Sequence, residues 1–139
     1  MKHSHKWIGA VVASLGERVN RRVAARVLED CGRNCITQSM LQRARRCKAQ
    51  ARTTDEFLDK LAKVWSHLER KGKRLYVTYP RCYCPIVKGH KGKMPAAWCN
   101  CSQGWIKELF EASLGRPVEV ELEASIVRGD PGCRFRVCV

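Results

Sequence analysis

The sequence predicts an α+β fold, with N-terminal helices packed on an antiparallel β-sheet and a later helix followed by a C-terminal β-hairpin. Three observations predict it. Apolar residues recur at helical spacing up to residue 72. The period then changes to alternation at Leu75, Val77 and Tyr79. Alternation returns at Val118, Val120 and Leu122 and again at Phe135, Val137 and Val139, on either side of the turn residues Gly129-Asp130-Pro131-Gly132. The expected organisation is a single domain over 1–139. Its helical part is 1–72, and 73–139 holds sheet, helix, hairpin and a cysteine site.

The elements follow in order. Trp7, Ile8, Val11, Val12, Leu15 and Val19 are spaced as one helix. Lys2 and Lys6 before Trp7–Ala13 imitate an export signal, but the helical spacing continues past the place of cleavage. A second helix is expected over Arg21–Cys31, with Val23, Val27 and Leu28 on one face and Gly32 as its stop, and a third over Ile36–Ala49. Thr53-Thr54-Asp55-Glu56 reads as a capping box for a fourth, with Phe57, Leu58, Leu61, Val64, Trp65 and Leu68 as its stripe, an exposed His67, and Gly72 at its end. A strand is expected at 74–79. Cys82–Val87 and Met94–Cys99 flank the basic, glycine-rich Lys88–Lys93 and read as a hairpin. Ser102 is placed to cap a helix reaching Leu114, with Trp105, Leu109, Phe110 and Leu114 facing the core and Gly115 after it. In the last hairpin, glutamates at 119, 121 and 123 face Arg134 and Arg136 as cross-strand pairs on a solvated face.

Composition narrows the function classes. The chain has 139 residues, 45% of them hydrophobic, so it carries enough apolar surface to fold. No apolar run nears the ~20 residues that a membrane-spanning helix needs. The net charge is +14, and it is uneven: 22 Lys/Arg against 7 Asp/Glu in 1–93, but 5 against 6 in 94–139. A basic helical half attracts polyanions, and Arg18, Arg21, Arg22, Arg26, Arg43, Arg45 and Arg46 are the residues a nucleic acid would meet. A solvated basic surface is the plainer reading. Nine cysteines with no export signal predict a reducing cytoplasm, where clustered thiols bind metal or do thiol chemistry.

Cys82-x-Cys84, fourteen residues, then Cys99-x-Cys101 is the strongest constellation. Residues i and i+2 of a strand point the same way, so a hairpin brings four thiols to one side. Thiolates suit zinc or an iron–sulfur cluster. Cys133 follows the tight turn and can reach the same place. Cys31 and Cys35, at i and i+4, form a candidate second thiol pair or simple core. Cys47 and Cys138 read as lone thiols. His3 and His5 lie in the terminus, and His90 lies in the basic turn. No Ser/His/Asp arrangement and no phosphate-binding glycine loop is present.

Cys99, Gly104, Trp105, the run Leu114-Gly115-Arg116-Pro117-Val118, and Gly129-Asp130-x-x-Cys133-x-Phe135 resemble the vinyl-4-reductase-type ligand-binding domain, found also in the sensor halves of aromatic-responsive transcription activators. The chain also looks like an uncharacterised cysteine-rich prokaryotic family sharing that tail. The resemblance implies helices packed on an antiparallel sheet around an apolar pocket, with a zinc ion nearby. It puts Cys99 and Cys133 at the first and last of the family's ligand positions. Here Ser125 occupies the middle cysteine position and Leu122 the glutamate position. A rearranged thiolate site at Cys84, Cys99, Cys101 and Cys133, with Cys82 in reserve, is the corresponding expectation.

The sequence therefore predicts a small cytoplasmic, metal-binding, sensor-like domain that takes an apolar small molecule. Trp65, Tyr76, Trp98, Trp105 and Phe110 would form its pocket, beside zinc held by the thiolates. Sensing would work through association, since no effector domain is attached, and a homodimer is compatible with the fold. Two alternatives differ in class: a metal- or thiol-dependent enzyme or iron–sulfur redox protein, and a basic nucleic-acid-binding regulator.

Overall fold

A computed structural model describes residues 2–89 and 94–139. His90 and the rest of the basic turn to Lys93 lie outside the described residues. The described elements are α1 (Lys2–Arg18), α2 (Arg21–Cys35), α3 (Gln38–Ala49), α4 (Thr54–Val64), β1 (Leu68–Lys71), β2 (Arg74–Tyr79), the short α5 (Pro85–Gly89), α6 (Asn100–Leu114), β3 (Glu119–Ala124) and β4 (Cys133–Cys138). The fold is α+β, and the strands form one antiparallel sheet in the order β1-β2-β4-β3.

Helix starts follow local chemistry. Asn20, Thr37 and Thr53 each accept a backbone N–H of the first turn, from Val23, Met40 and Glu56. Glu56 reaches back to the N–H of Arg52, so the box at 53–56 closes one residue further out than the standard pattern. Gly115 ends α6 in the left-handed region, at φ 70°.

One face of the sheet meets α3, α4 and α6. Leu75, Val77, Val120, Phe135 and Val137 from the strands pack there on Phe57, Leu58, Leu61, Ile106, Leu109 and Phe110. A smaller cluster of Val12, Leu28, Met94 and Trp98 lies under α1. On the other face Arg134 bonds Glu123 at 2.9 Å and Arg136 approaches Glu121 at 3.9 Å, the cross-strand pairs the alternation predicts.

Helices α2 and α6 touch backbone to backbone. A Cβ on Gly32 would lie 1.7 Å from the carbonyl oxygen of Cys101, and one on Gly104 would lie 1.8 Å from that of Glu29. Arg33 bridges Glu108 and Glu111, both at 3.1 Å, and Lys107 pairs with Glu29 along the same seam. Burial pushes the Glu111 carboxyl up, but its bonds from Arg33 and the Val118 N–H outweigh that and leave it lowered.

Several expectations are corrected. Gly32 does not stop α2. It lies inside the helix, because only a residue without Cβ fits against Cys101. The buried stripe of α2 is Ala24, Leu28 and Gly32, so Val23 and Val27 face outward. Trp7 is 68% exposed and does not join the core. The fourth helix ends at Val64, not at Gly72. Leu68 begins β1, and Gly72, at φ 63°, makes the β1–β2 turn, so the boundary at 72/73 falls inside a hairpin. His67 is off the helix and half-buried, its Nδ1 3.0 Å from the Thr78 carbonyl, which can only accept. Cys82–Val87 and Met94–Cys99 form no strands. Pro85 opens α5, and Ala96–Cys99 is a 3-10 helix that runs into α6. Ser102 therefore lies within α6 and does not cap it.

Candidate functional site

A cavity of about 250 Å³ opens between α6, the 81–85 segment and the end of the sheet where Tyr79 pairs with Cys133. Its walls hold six cysteines: Cys35, Cys82, Cys84, Cys99, Cys101 and Cys133. Tyr79, Tyr83, Trp98 and Trp105 supply aromatic surface, and Arg81 is the one charged residue among its described lining. Six elements or turns deliver these groups. The α2–α6 seam brings Cys35 alongside Cys101. The 3-10 turn presents Trp98 and Cys99. The pairing of Tyr79 with Cys133 across β2 and β4 sets the floor.

The innermost group is a thiol pair. Cys99 is buried, and its Sγ lies 2.8 Å from Oγ of Ser125, which is wholly buried. Cys99 and Cys133 line the same cavity, and the Cys133 Sγ receives the Ile126 N–H at 3.4 Å. Ser125 is fixed in turn: its N–H donates to Asp130 at 2.8 Å, and its carbonyl accepts from the N–H groups of Arg128 and Asp130. The thiols respond in opposite directions. Its interaction with Cys99 and the Ile126 N–H hold the Cys133 thiol below the ordinary range, against the effects of burial and Asp130. The same interaction and burial raise Cys99. Burial pushes Cys101 up to about 12 and also raises Cys82 and Tyr79.

A test follows for reactivity. Alkylation of Cys133 by iodoacetamide is expected to reach its half-maximum well below the ordinary thiol range, because a group with a lowered pKa ionises earlier as pH rises. Peptide-mapped rates between pH 5 and 9 check this, and a Cys133 profile rising only near ~8.5, the ordinary thiol value, would contradict it.

The cysteine residues named from sequence are thus brought to one cavity: Cys84, Cys99, Cys101, Cys133 and Cys82 all line it. The hairpin that was expected to gather them does not exist. Among the described residues, no group of three His, Cys, Asp or Glu side chains is placed to hold a metal ion. The donor set therefore does not fit a resident metal in this arrangement, and no chemistry is routed through one here. Of the thiol pair Cys31 and Cys35, both exposed, only Cys35 reaches the cavity. Cys47 is buried in the core and Cys138 is exposed.

Two of the five expected pocket aromatics, Trp98 and Trp105, line the cavity. Trp65 stands behind Trp105, ring centroids 5.6 Å apart, and Phe110 lies deeper, 6.5 Å from Trp65. Tyr76 alternates to the opposite face of the sheet, under the Arg134 guanidinium at 5.1 Å. The sequence carries no separate signal for Tyr83 and Arg81, and marks Ser125 only as the occupant of a ligand position that the resemblance implies. For Tyr79 the alternation with Leu75 and Val77 is the only signal. The arginines at 21, 22, 26, 43, 45 and 46 are exposed on α2 and α3. Arg22 and Arg26 border a separate shallow depression with Glu29, Asn100 and Gln103.

Comparison with known proteins places the chain. The model of the Family of unknown function (DUF6144) matches residues 1–139. The chain belongs to DUF6144. No protein of curated function matches it. Among solved structures, the DUF6144 fold is similar to the crystal structure of the phenol-responsive sensory domain of the transcription activator PoxR with phenol. The TM-score is 0.54 at 12% identity, over 96% of this chain and 73% of that one. At that identity the likeness concerns the fold. It agrees with the layered architecture implied by the resemblance of residues 99–135 to sensor domains. No helix among the described residues is long and apolar enough to cross a membrane.

Proposed function

We propose that this DUF6144 domain binds a small, largely apolar, single-ring molecule in the cavity beside Cys133. The observation that carries the reading is the cavity itself. Its volume, about 250 Å³, is just under the usual range for drug-sized ligands, so one substituted ring fits and a larger cofactor does not. Two tryptophans and two tyrosines wall it, with a single guanidinium as the charged anchor. The structural likeness to a phenol-responsive sensory domain supports the same ligand class.

Titration with phenol and with benzylacetone, followed by tryptophan fluorescence, tests the proposal. Saturable quenching is expected, since Trp98 and Trp105 line the cavity. Trp105→Ala should weaken binding about tenfold, the equivalent of about 1.4 kcal/mol from a lost aromatic wall. Equal affinity in that variant, once its folding is verified by circular dichroism, would refute the site. So would absence of quenching for both compounds at their solubility limits.

A further inference from the structure

We propose that the cavity captures soft electrophiles, flat α,β-unsaturated carbonyl compounds of single-ring size, by addition of the Cys133 thiol, with Cys99 supplying the proton. The proposal rests on the cavity being a ligand site and names the chemistry of its ligand.

Three features converge. The first is the nucleophile. Cys133 lines the cavity, its Sγ receives the Ile126 N–H at 3.4 Å, and the Cys99 thiol lines the same cavity. Donors aimed at a sulfur stabilise its anionic, nucleophilic form. The second is the proton source. Cys99 is buried with its Sγ 2.8 Å from the Ser125 hydroxyl, and Ser125 is itself wholly enclosed and held by Asp130. A hydroxyl that donates to Cys99 leaves the Cys99 hydrogen free to pass to a molecule bonded at Cys133, which lines the same cavity. The third is recognition. The walls at Trp98, Trp105 and Tyr79 are aromatic and favour a flat conjugated molecule. Arg81, whose guanidinium stacks over the Tyr83 ring at 5.1 Å, is the one charged group in the described lining. A guanidinium hydrogen-bonds a carbonyl oxygen and draws electron density from the conjugated double bond. A charged or purely aliphatic compound would use neither the aromatic walls nor this pairing of thiol and guanidinium.

The step balances without an oxidant or reductant. The Cys133 thiolate attacks the β-carbon and a C–S bond forms. The π pair of the C=C bond moves to the α-carbon, and the carbonyl oxygen carries the developing charge beside Arg81. The α-carbon takes the Cys99 proton, and Cys99 regains one from solvent. The net change is addition of one S–H across one C=C bond.

Benzylideneacetone tests the addition, and benzylacetone, which lacks the double bond, tests reversible occupancy of the same cavity. Protein purified without oxygen is expected to gain the full mass of one benzylideneacetone per chain, mapped to Cys133. Benzylacetone should slow that gain by competition. Cys133→Ser should lose the adduct and keep its quenching by benzylacetone, which shows that it is folded. Cys99→Ala should slow addition at least about tenfold, the loss of the proton source. Cys138→Ser, an exposed thiol away from the cavity, should retain the adduct. Adducts spread over Cys31, Cys35 and Cys138 at equal rates would overturn the proposal, as would an adduct that persists in Cys133→Ser. A stoichiometric metal whose removal is needed before any addition would overturn it too. Benzylacetone binding without any Cys133 adduct would sink the capture and leave the ligand cavity standing. Addition at Cys133 that benzylacetone neither slows nor accompanies by binding would sink the ligand cavity and, with it, this proposal.

Discussion

Gly32→Ala is expected to abolish the native pairing of α2 with α6. The added Cβ would sit 1.7 Å from the carbonyl oxygen and 2.6 Å from the carbonyl carbon of Cys101, both backbone atoms. No rotamer change relieves a clash with backbone, so the helices must separate by more than an ångström. Separation would also pull Arg33 from Glu108 and Glu111, and Lys107 from Glu29. The cost should be about 3 kcal/mol or more, at or beyond the top of the range for overpacking. Thermal unfolding should shift down by about 10 °C. Gly104→Ala should behave alike, since its Cβ would meet Glu29 at 1.8 Å. Gly16→Ala is the matched control. It is a helical glycine with nothing within 4 Å, and it should gain about 0.5–1 kcal/mol from reduced chain entropy. Equal melting temperatures for Gly32→Ala and the parent would disprove the close seam.

Phe110→Ala should cost about 3–5 kcal/mol, the range for removing a large aromatic side chain from a sealed core. Phe110 is fully buried on α6, in the cluster that joins the helices to Val77, Phe135 and Val137 of the sheet. Its neighbours come from several elements, so the space it leaves cannot close by moving one of them. Urea unfolding should show a lower midpoint with an unchanged slope. Trp7→Ala, which removes a larger ring that is 68% exposed, should stay within about 0.5 kcal/mol of the parent. Similar losses for the two variants would contradict the placement of the core.

Much of the fold was legible because its signals are local. Alternation at 74–79 and 118–139 marked β2, β3 and β4, and the Glu–Arg pairing across the last two strands followed from it. The threonine at 53 marked the start of α4. What failed depended on partners distant in sequence. Gly32 reads as a helix stop until Cys101 is known to lie against it. Leu68 reads as one more apolar position of a helix, because a four-residue strand has too few positions to announce a new period, and only its pairing with Val77 declares it. The cysteine cluster is legible in the spacing of Cys82-x-Cys84 and Cys99-x-Cys101 and in the place of Cys133 after the tight turn. Its members do meet in one cavity, but through a 3-10 turn, the α2–α6 seam and β4 rather than through a hairpin. Ser125 looked like a lost ligand. In the structure it is the buried partner of Cys99, a role that no spacing announces.

The sheet order has a consequence for how the molecule is made. β4 comes last of the four strands in sequence yet lies between β2 and β3. During synthesis, β1 and β2 can form a ribbon early, but the gap beside β2 stays vacant until residues 133–138 leave the ribosome. Until then the inward side chains of β2 lack their cross-strand neighbours, and Tyr79 has no Cys133 beside it. The centre of the sheet and the Tyr79–Cys133 side of the cavity therefore form in one step, when β4 inserts.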